Sequence, residues 1–539
     1  MITDARRLDH GSVVETDICI VGAGAAGITL ALELIDRGLG VVLLESGGLD
    51  LEEEAQSLNE GTCISEWHID PMYTRLRQFG GTTMHWGGSC SPLDSWDFDR
   101  RDWVPDSGWP FGPEELAPHY QKAFSYCQID TPRFDPDYWA SVTPEFSGGR
   151  VPLGNGLAEK IYLKSPPTRF GAAYRAAIDG KDGLCTVFLH AHVLEIETDD
   201  AGVAATALVL AGAGDARPRI TARAFILAGG MENARLMLLS NGTLPSGLGN
   251  GYDTVGRWFM THLSVMTGSA TLNIPSGVSQ YYGLDGWEAR FKEQVIPFTV
   301  AIQPTQEAQK ERRMLNSVVF LDESYSGERS PGFKALRRIV KRALYGQMPE
   351  NLGTEIGKVI SDIDQITGAL YGRVSGDASY RTLDLGYFAE QAPNRDSRLM
   401  LGDSLDRYGQ RQLVIDWRSS EIDKHTILET QNLLSRHFGA LGLGRLSVEF
   451  DDMEDPWPRI PDSASHFMGS TRMHQDPRQG VVDADCRVHG MENLYIAGGS
   501  VFPTSSSAMV TMNIVALSVR LAHHLSNNLS RTASNPSRS

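Results

Sequence analysis

The segment from Asp17 to Glu45 constrains this chain more than any other. Asp17-Ile-Cys-Ile-Val21 is a short apolar run closed off by charge, and it leads straight into Gly22-Ala-Gly24-Ala-Ala-Gly27. Ile28, Leu30, Ala31, Leu34 and Ile35 follow at a spacing that suits a helix packed on a sheet. Gly38 and Gly40 punctuate its end, and Val41-Val-Leu-Leu44 is a second buried run. The order strand, glycine turn, helix, strand predicts a βαβ unit, and with it a parallel sheet of the α/β class. It also predicts a dinucleotide. Gly22 permits the tight turn, Gly24 lets a pyrophosphate approach the backbone, and Gly27 lets helix and strand pack closely. The helix N-terminus turns free N–H groups toward the phosphates. Glu45, 18 residues after Gly27, can accept hydrogen bonds from a ribose diol and disfavours a 2′-phosphate. This fingerprint serves NAD and FAD alike.

Composition narrows the partners. The chain has 539 residues, enough to build its core without disulfide or metal staples. Its net charge of -18 repels phosphate backbones, so a nucleic-acid partner is not expected. The six cysteines, Cys19, Cys63, Cys90, Cys127, Cys185 and Cys486, form no CxxC. That excludes a c-type haem attachment, a local zinc knuckle and a ferredoxin-type cluster, so redox chemistry would need another cofactor. Met1 to Glu15 is charged and lacks the apolar run of a signal peptide. Ile18 to Leu32 is too short to cross a membrane, and Asn493 to Val519 is broken by Gly498, Gly499, Pro503 and Ser505 to Ser507. A cytoplasmic protein without a transmembrane segment is the expectation.

Beyond the opening unit, residues 50–150 are rich in Gly, Pro and Trp and read as long loops with short helices, one of them over Glu114 to Tyr126. Strand signals return at Val187 to Leu189, Val193 to Ile196, Ala207 to Leu210 and Ala224 to Leu227, followed by Gly229-Gly230 and a helix over Asn233 to Leu239. Residues 265–460 read as short strands, turns and two helical segments, and 461–525 returns to strand, turn and helix. Phe333 to Leu344 interleaves five basic residues with apolar ones and reads as a solvated helix face.

The C-terminal region carries His466-Phe-Met-Gly-Ser-Thr-Arg-Met473, Gly480-Val-Val-Asp483, Arg487-Val-His-Gly490 and Asn493-Leu-Tyr-Ile-Ala-Gly-Gly-Ser-Val-Phe-Pro-Thr504. With the N-terminal fingerprint, Gly80-Gly-Thr-Thr-Met-His-Trp-Gly-Gly88, Ser107-Gly-Trp-Pro-Phe111, Val255-Gly-Arg-Trp-Phe-Met-Thr-His262 and Glu390-Gln-Ala-Pro-Asn394, the chain resembles the glucose–methanol–choline (GMC) family of FAD oxidoreductases. The resemblance spans most of the chain except about 270–375. Within the family it is most similar to the branch of pyranose oxidases, bacterial glycoside 3-oxidases and sugar dehydrogenases. It implies a Rossmann-like FAD-binding domain with a parallel sheet, over 1–264 and 461–525, with loop and cap elements near 50–170. It also implies an α+β substrate domain with a mixed or antiparallel sheet over 265–460, and a flexible tail over 526–539. The cofactor contacts expected are Gly22, Gly24, Gly27, Glu45, Thr82, His85, Trp86, Gly87, Val193, Gly498 and Ser500. Two glycine turns after strands, at opposite ends of the chain, suit one extended dinucleotide held twice.

Alcohol oxidation needs a base for the hydroxyl proton and an acceptor for the hydride. His466, first residue of the family motif, is the expected base. The family pairs this histidine with an Asn or His at the start of the last helix, where this chain has Met509; Asn513, one turn deeper, is the candidate second residue. Thr83-Met-His-Trp86 is similar to the segment that carries a flavin-bonded histidine in pyranose oxidase, but we expect noncovalent FAD rather than a bond through His85. His262, His474 and His489 read as structural or surface groups, and no HExxH, GxSxG or local metal-ligand set is present. The branch implies oxidation of a secondary ring hydroxyl of a sugar or glycoside, C3 preferred over C2, with Tyr281, Tyr282, Trp287, Phe291, Tyr345 and Tyr371 as candidate sugar-stacking aromatics. Alternatives are a nonsugar or primary alcohol, or a lyase that keeps FAD without redox turnover. Oxygen, a quinone or a redox protein would reoxidise the flavin. An oligomer, or a small subunit that carries the chain to the periplasm, would be further partners.

Overall fold

The computed structural model describes residues 1–65, 69–142, 144, 148–180, 183–273, 277–284, 298–325, 328, 330–344, 351–375, 381–449, 452–454, 457 and 462–534. Strands are numbered along the chain. One sheet holds, in spatial order, β1 (Ile2–Asp4), β7 (Cys185–Leu189), β3 (Val41–Leu44), β2 (Val13–Val21), β10 (Arg219–Leu227), β9 (Ala205–Leu210) and β8 (Val193–Thr198), with β19 (Leu494–Ile496) also paired to β10. From β1 to β10, and to β19, every pairing is parallel; β9 and β8 add an antiparallel edge. The parallel strands are buried on both faces, which is why Ile18 to Ile20 and Val41 to Leu44 are uninterrupted apolar runs.

Helix α1 (Ala25–Ile35) leaves β2 and returns the chain to β3 on one side, while β10 lies on the other side of β2. The strand order therefore reverses at the C-terminal end of β2, where open α/β sheets leave a ligand crevice. Gly22 has φ +105°, and a Cβ there would sit 2.8 Å from the Ala228 carbonyl oxygen. At Gly27 a Cβ would lie 1.9 Å from the Gly22 oxygen, so the helix can approach the turn only without a side chain.

The second sheet is antiparallel throughout, in the order β17 (Gly444–Ser447), β11 (Leu263–Leu272), β14 (Arg381–Ala389), β13 (Ser317–Tyr325), β12 (Phe298–Pro304), β6 (Leu157–Lys164) and β5 (Ser89–Cys90), with β18 (Asp462–Ser463) on β11. The two-domain α/β architecture is thus a mostly parallel sheet and a separate antiparallel one. β5 and β6 come from the segment expected to be loops and cap elements. β5 pairs with β6, and the other partner of β6, β12, is more than a hundred residues away, so the sequence pattern alone could not place them in this sheet. A small sheet of β15 (Arg398–Leu405), β16 (Arg411–Asp416) and β4 (Gly61–Cys63) completes the fold.

Among the described residues, 265–460 contains more helix than the two segments expected, including Pro331–Leu344, Leu352–Ser361, Ile363–Ser375 and the 20-residue Glu421–Ala440. The basic segment is helical, but it is not merely a solvated face: Phe333 and Ala335 are buried against Ile366 and Ala369. The last helix, α2 (Val510–Ser534), packs along α1 and continues nine residues into the segment expected to be a flexible tail. No helix among the described residues is long and apolar enough to cross a membrane.

Candidate active site

A cavity of about 680 Å³ runs from the crevice at β2 to the face of the antiparallel sheet. At its first end the chain exposes backbone at three strand ends: Gly22 and Gly24 after β2, Gly229 and Gly230 after β10, and Gly498 and Gly499 after β19. A Cβ at Gly24, Gly230 or Gly498 would meet nothing within 4 Å, so each missing side chain opens space on the cavity. Glu45 closes this end. It is buried, accepting from Ala23 N at 3.0 Å and Gly47 N at 2.9 Å, and burial pushes its carboxyl up. Val193 lines the same end.

Behind Glu45 lies a charged cluster that the sequence reading missed. Glu232 pairs with Arg75 at 2.7 Å, Arg77 at 2.9 Å and Arg235 at 3.3 Å, and Arg235 reaches Asp406 at 2.7 Å. Burial pushes the Glu232 carboxyl up, but the three guanidiniums outweigh it and hold the group well below the usual carboxylate range. Arg75 lines the cavity with its guanidinium buried from solvent and ion-paired to Glu232 through Nη1, while Nε and Nη2 have no hydrogen-bond partner. A buried guanidinium that keeps donors beyond those used by its carboxylate partner fits a polar or anionic ligand group. The only sequence signal was Arg75 and Arg77 just before Gly80-Gly81.

The opposite end is nearly free of charge. His466, His85, Trp86, Phe320, Phe388 and Met509 line it, with Lys164 and Ser89 as its polar groups. Phe320 and Phe388 come from β13 and β14 of the antiparallel sheet, and Met509 packs against them just before α2 begins. His466 is placed by an antiparallel contact between its own segment and the one before β11. Met260 N donates to Met468 O at 3.0 Å, and Met468 N donates to Met260 O at 2.8 Å. Ser465 turns the chain with φ +56°, so that His466 comes to face His262. The two rings are edge to face, with Nδ1 to Nδ1 at 3.0 Å, and His262 Nε2 lies 2.9 Å from the Ser505 carbonyl oxygen. Burial lowers the His466 imidazole to about 4 and holds His262 well below the usual range. Both rings are therefore neutral near pH 7. Burial, and then Arg169, also lower His85, which joins Thr82, Trp86 and Gly87 on the wall.

Most of the residues expected at the site meet on this cavity, and three do not. Gly27 acts through packing, as above. Ser500 is buried and accepts from Asn233 Nδ2 at 3.1 Å, while its neighbour Gly499 faces the cavity. Asn513 is a correction of greater weight. Its Nδ2 donates to Ser91 O at 3.0 Å and Met509 O at 2.8 Å, and its Oδ1 accepts from Leu93 N at 3.2 Å and Tyr120 Oη at 2.7 Å. Fully buried and fully bonded, it ties α2 to the 90s loop and does not reach the cavity. The expected aromatic roof also differs. Tyr281 and Tyr282 are core residues, Tyr371 is 59% exposed, and Trp287, Phe291 and Tyr345 lie outside the described residues.

The glycine-lined crevice, the buried carboxylate beside it and the guanidinium cluster behind it fit FAD, with a wide apolar end for the ring system. Two family models agree with this reading: one described as FAD dependent oxidoreductase matches residues 17–246, and one described as GMC oxidoreductase matches 393–518. The chain is 25% identical to a 6'''-hydroxyparomomycin C oxidase of Streptomyces lividus, over 95% of this chain and 92% of that protein. It is 30% identical to a C-glycoside 3-oxidase of Arthrobacter globiformis over 147 residues, 27% of each chain. The fold is similar to that of a pyridoxine 4-oxidase from Mesorbium loti, with a TM-score of 0.55 and 16% identity over 94% of this chain and 99% of that one.

Proposed function

We propose that this chain, an FAD-dependent oxidoreductase of the GMC superfamily acting on CH–OH groups, oxidises a secondary ring hydroxyl of a sugar or glycoside to a ketone, with C3 preferred over C2. The observation that carries the reading is His466: a neutral imidazole at the mostly apolar end of a cavity whose other end is lined by glycine turns and a buried carboxylate. FAD, held noncovalently by Gly22, Gly24, Glu45, Val193 and Gly498, supplies the hydride acceptor. His466 takes the hydroxyl proton as the C–H bond gives up its hydride, and the products are the ketone and an imidazolium. General-base assistance of this kind is worth roughly 10²–10⁴ in rate.

Phe320, Phe388 and Met509 keep water from the reacting carbon and offer apolar faces to sugar C–H groups. Lys164 donates to Ser89 at 2.6 Å, and the pair presents hydroxyl-binding groups at the rim of an otherwise apolar wall. Met509 cannot donate a hydrogen bond to the substrate oxygen, so His466 alone handles the proton. An external acceptor, oxygen or a quinone or a redox protein, completes the cycle.

Support for sugar substrates comes from relatives named for paromomycin and C-glycoside oxidation. The name of the longer match specifies a 6''' position, which favours a second reading: oxidation of an exocyclic primary hydroxyl. Product NMR after anaerobic flavin reduction by aryl glucosides and by free glucose separates the two. We expect a C3 ketone. An aldehyde, or a carbonyl at C2, refutes the regiochemistry, and a flavin that no sugar or alcohol bleaches points to the nonredox lyase alternative.

A further inference from the structure

We propose that His262 fixes the tautomer of His466, holding the proton on His466 Nδ1 so that Nε2 presents its lone pair to the cavity. The inference rests on the reading of His466 as the base and assigns a role to a histidine that the sequence placed among structural groups.

The argument starts from an atom that can only accept. His262 Nε2 is 2.9 Å from the Ser505 carbonyl oxygen, so Nε2 must carry a hydrogen. His262 is fully buried, with the Phe388 ring centroid 4.4 Å from its own. Lys160, itself bound to Asp94, is a nearby charge that further disfavours a second proton. A neutral imidazole carries one hydrogen, so His262 Nδ1 is a lone pair. That lone pair lies 3.0 Å from His466 Nδ1. Two lone pairs at that distance repel, so His466 Nδ1 must be the donor. His466 then has its only proton on Nδ1, and the other nitrogen is free to accept.

The chain enforces this arrangement at both histidines. Thr261 holds the backbone of His466 through its hydroxyl at 3.3 Å, and Ala464 N donates to His262 O at 3.2 Å. The side chain of Gln391 accepts from Thr261 N at 3.0 Å, and Ser505 Oγ donates to Gln391 O at 3.0 Å, so the segments carrying His262 and its carbonyl anchor share one partner. His262 touches no reacting atom and is a positioning residue. It resembles the orienting carboxylate of a His–Asp pair in geometry but differs in charge. A carboxylate would raise the base; a neutral ring orients it without doing so. When Nε2 takes the substrate proton, the new positive charge already has its Nδ1–H directed at an acceptor.

The test has two parts. Nitrogen-15 NMR of the holoenzyme labelled at histidine, with His466 assigned by its loss in His466→Gln, reads the tautomer without turnover. We expect the proton on Nδ1 of His466 and on Nε2 of His262; a proton on His466 Nε2 overturns the inference. The second part is the rate of anaerobic flavin reduction by the glycoside substrate. His262→Leu removes the acceptor and should slow reduction roughly ten- to a hundredfold at unchanged FAD content. His262→Asn, which keeps an acceptor near the Nδ1 position, should restore most of that loss. If Leu and Asn are equally slow, or Leu is as fast as the native enzyme, the positioning role is lost. A native rate in His466→Ala would instead remove the base itself, so the two failures are distinguishable.

Discussion

The two ends of the cavity are built by different means. At the dinucleotide end the contacts come from strand termini and their glycine turns, backed by guanidinium and carboxylate groups. Gly22, Gly24, Gly27 and Glu45 all fall within one βαβ unit. At the reaction end each functional group depends on partners far along the chain. His262 and His466 are 204 residues apart, and His262 and Ser505 are 243 apart. The first end joins a side-chain ion-pair cluster to backbone exposed at glycine turns; the second is mostly apolar, with Lys164 as its charged group. On the proposed function, cofactor binding is thus specified locally, whereas the proton-transfer site is assembled from segments far apart in the chain. The two functions should therefore separate under mutation.

The largest effect should come from Gly24→Val. Gly24 has φ −84°, which any residue adopts, and its missing Cβ opens only on the cavity. We expect a folded, colourless protein: a circular-dichroism melt like the native one, with bound flavin absorbance lost. A yellow variant with full FAD content would break the comparison at its first term. His466→Ala is its mirror image, with normal FAD content and flavin reduction slowed by roughly 10²–10⁴. The sign of the native pH dependence follows from the lowered imidazole. Protonation below about 4 removes the base, so reduction rises with pH through that value and is level toward neutrality. A limb centred near the usual histidine value would show that burial does not set the base.

The same division explains what could be read from sequence. The βαβ unit was legible because strand, glycines, helix and carboxylate are contiguous and each has a stated backbone reason. The 494–496 strand and its Gly498–Gly499 turn were legible for the same reason. β5 and β6 were not, because an eight-residue strand acquires its identity from the partner it pairs with, and β12 begins at Phe298. The Arg75–Glu232–Arg235 cluster was invisible because it is assembled from the segment before Gly80, the helix after Gly230 and the loop after β15. His466 was singled out by the motif that carries the family resemblance, but His262, whose ring lies against it, was not. Nothing local to Met-Thr-His262 distinguishes an orienting ring from a structural one. Asn513 shows the opposite error: helical spacing put it one turn from Met509, yet spacing does not say which way a helix faces.

Asn513→Ala sharpens that last point with a smaller effect of another kind. Removing the side chain strands Ser91 O, Leu93 N and the Tyr120 hydroxyl in a buried site. A loss of about 2–4 kcal/mol in unfolding free energy is expected from such unsatisfied groups. The rate of flavin reduction, per bound FAD and below the melting transition, should stay near the native value. Denaturant unfolding together with stopped-flow reduction checks both halves. A rate loss comparable to that of His466→Ala, at native stability, would return Asn513 to the catalytic machinery.

The smallest expected effect is that of Met509→Leu. Met509 stands beside Phe320, Phe388 and the cavity, at the position where the sequence resemblance predicts a hydrogen-bonding side chain. If the thioether only fills space, leucine does the same at nearly equal volume and costs less than about 1.5 kcal/mol. Flavin reduction by the best glycoside should then change by less than about threefold, because nothing in the proton transfer depends on sulfur. The comparison between the ends gives this small number its value. A polar group lost at the dinucleotide end leaves a buried charge unpaired, but a side chain exchanged on the dry wall leaves every hydrogen bond of His466 and His262 in place. A tenfold or greater fall in Met509→Leu, with FAD content and melting unchanged, would mean that the sulfur contacts the reacting alcohol. The apolar end would then have a second chemical participant besides His466.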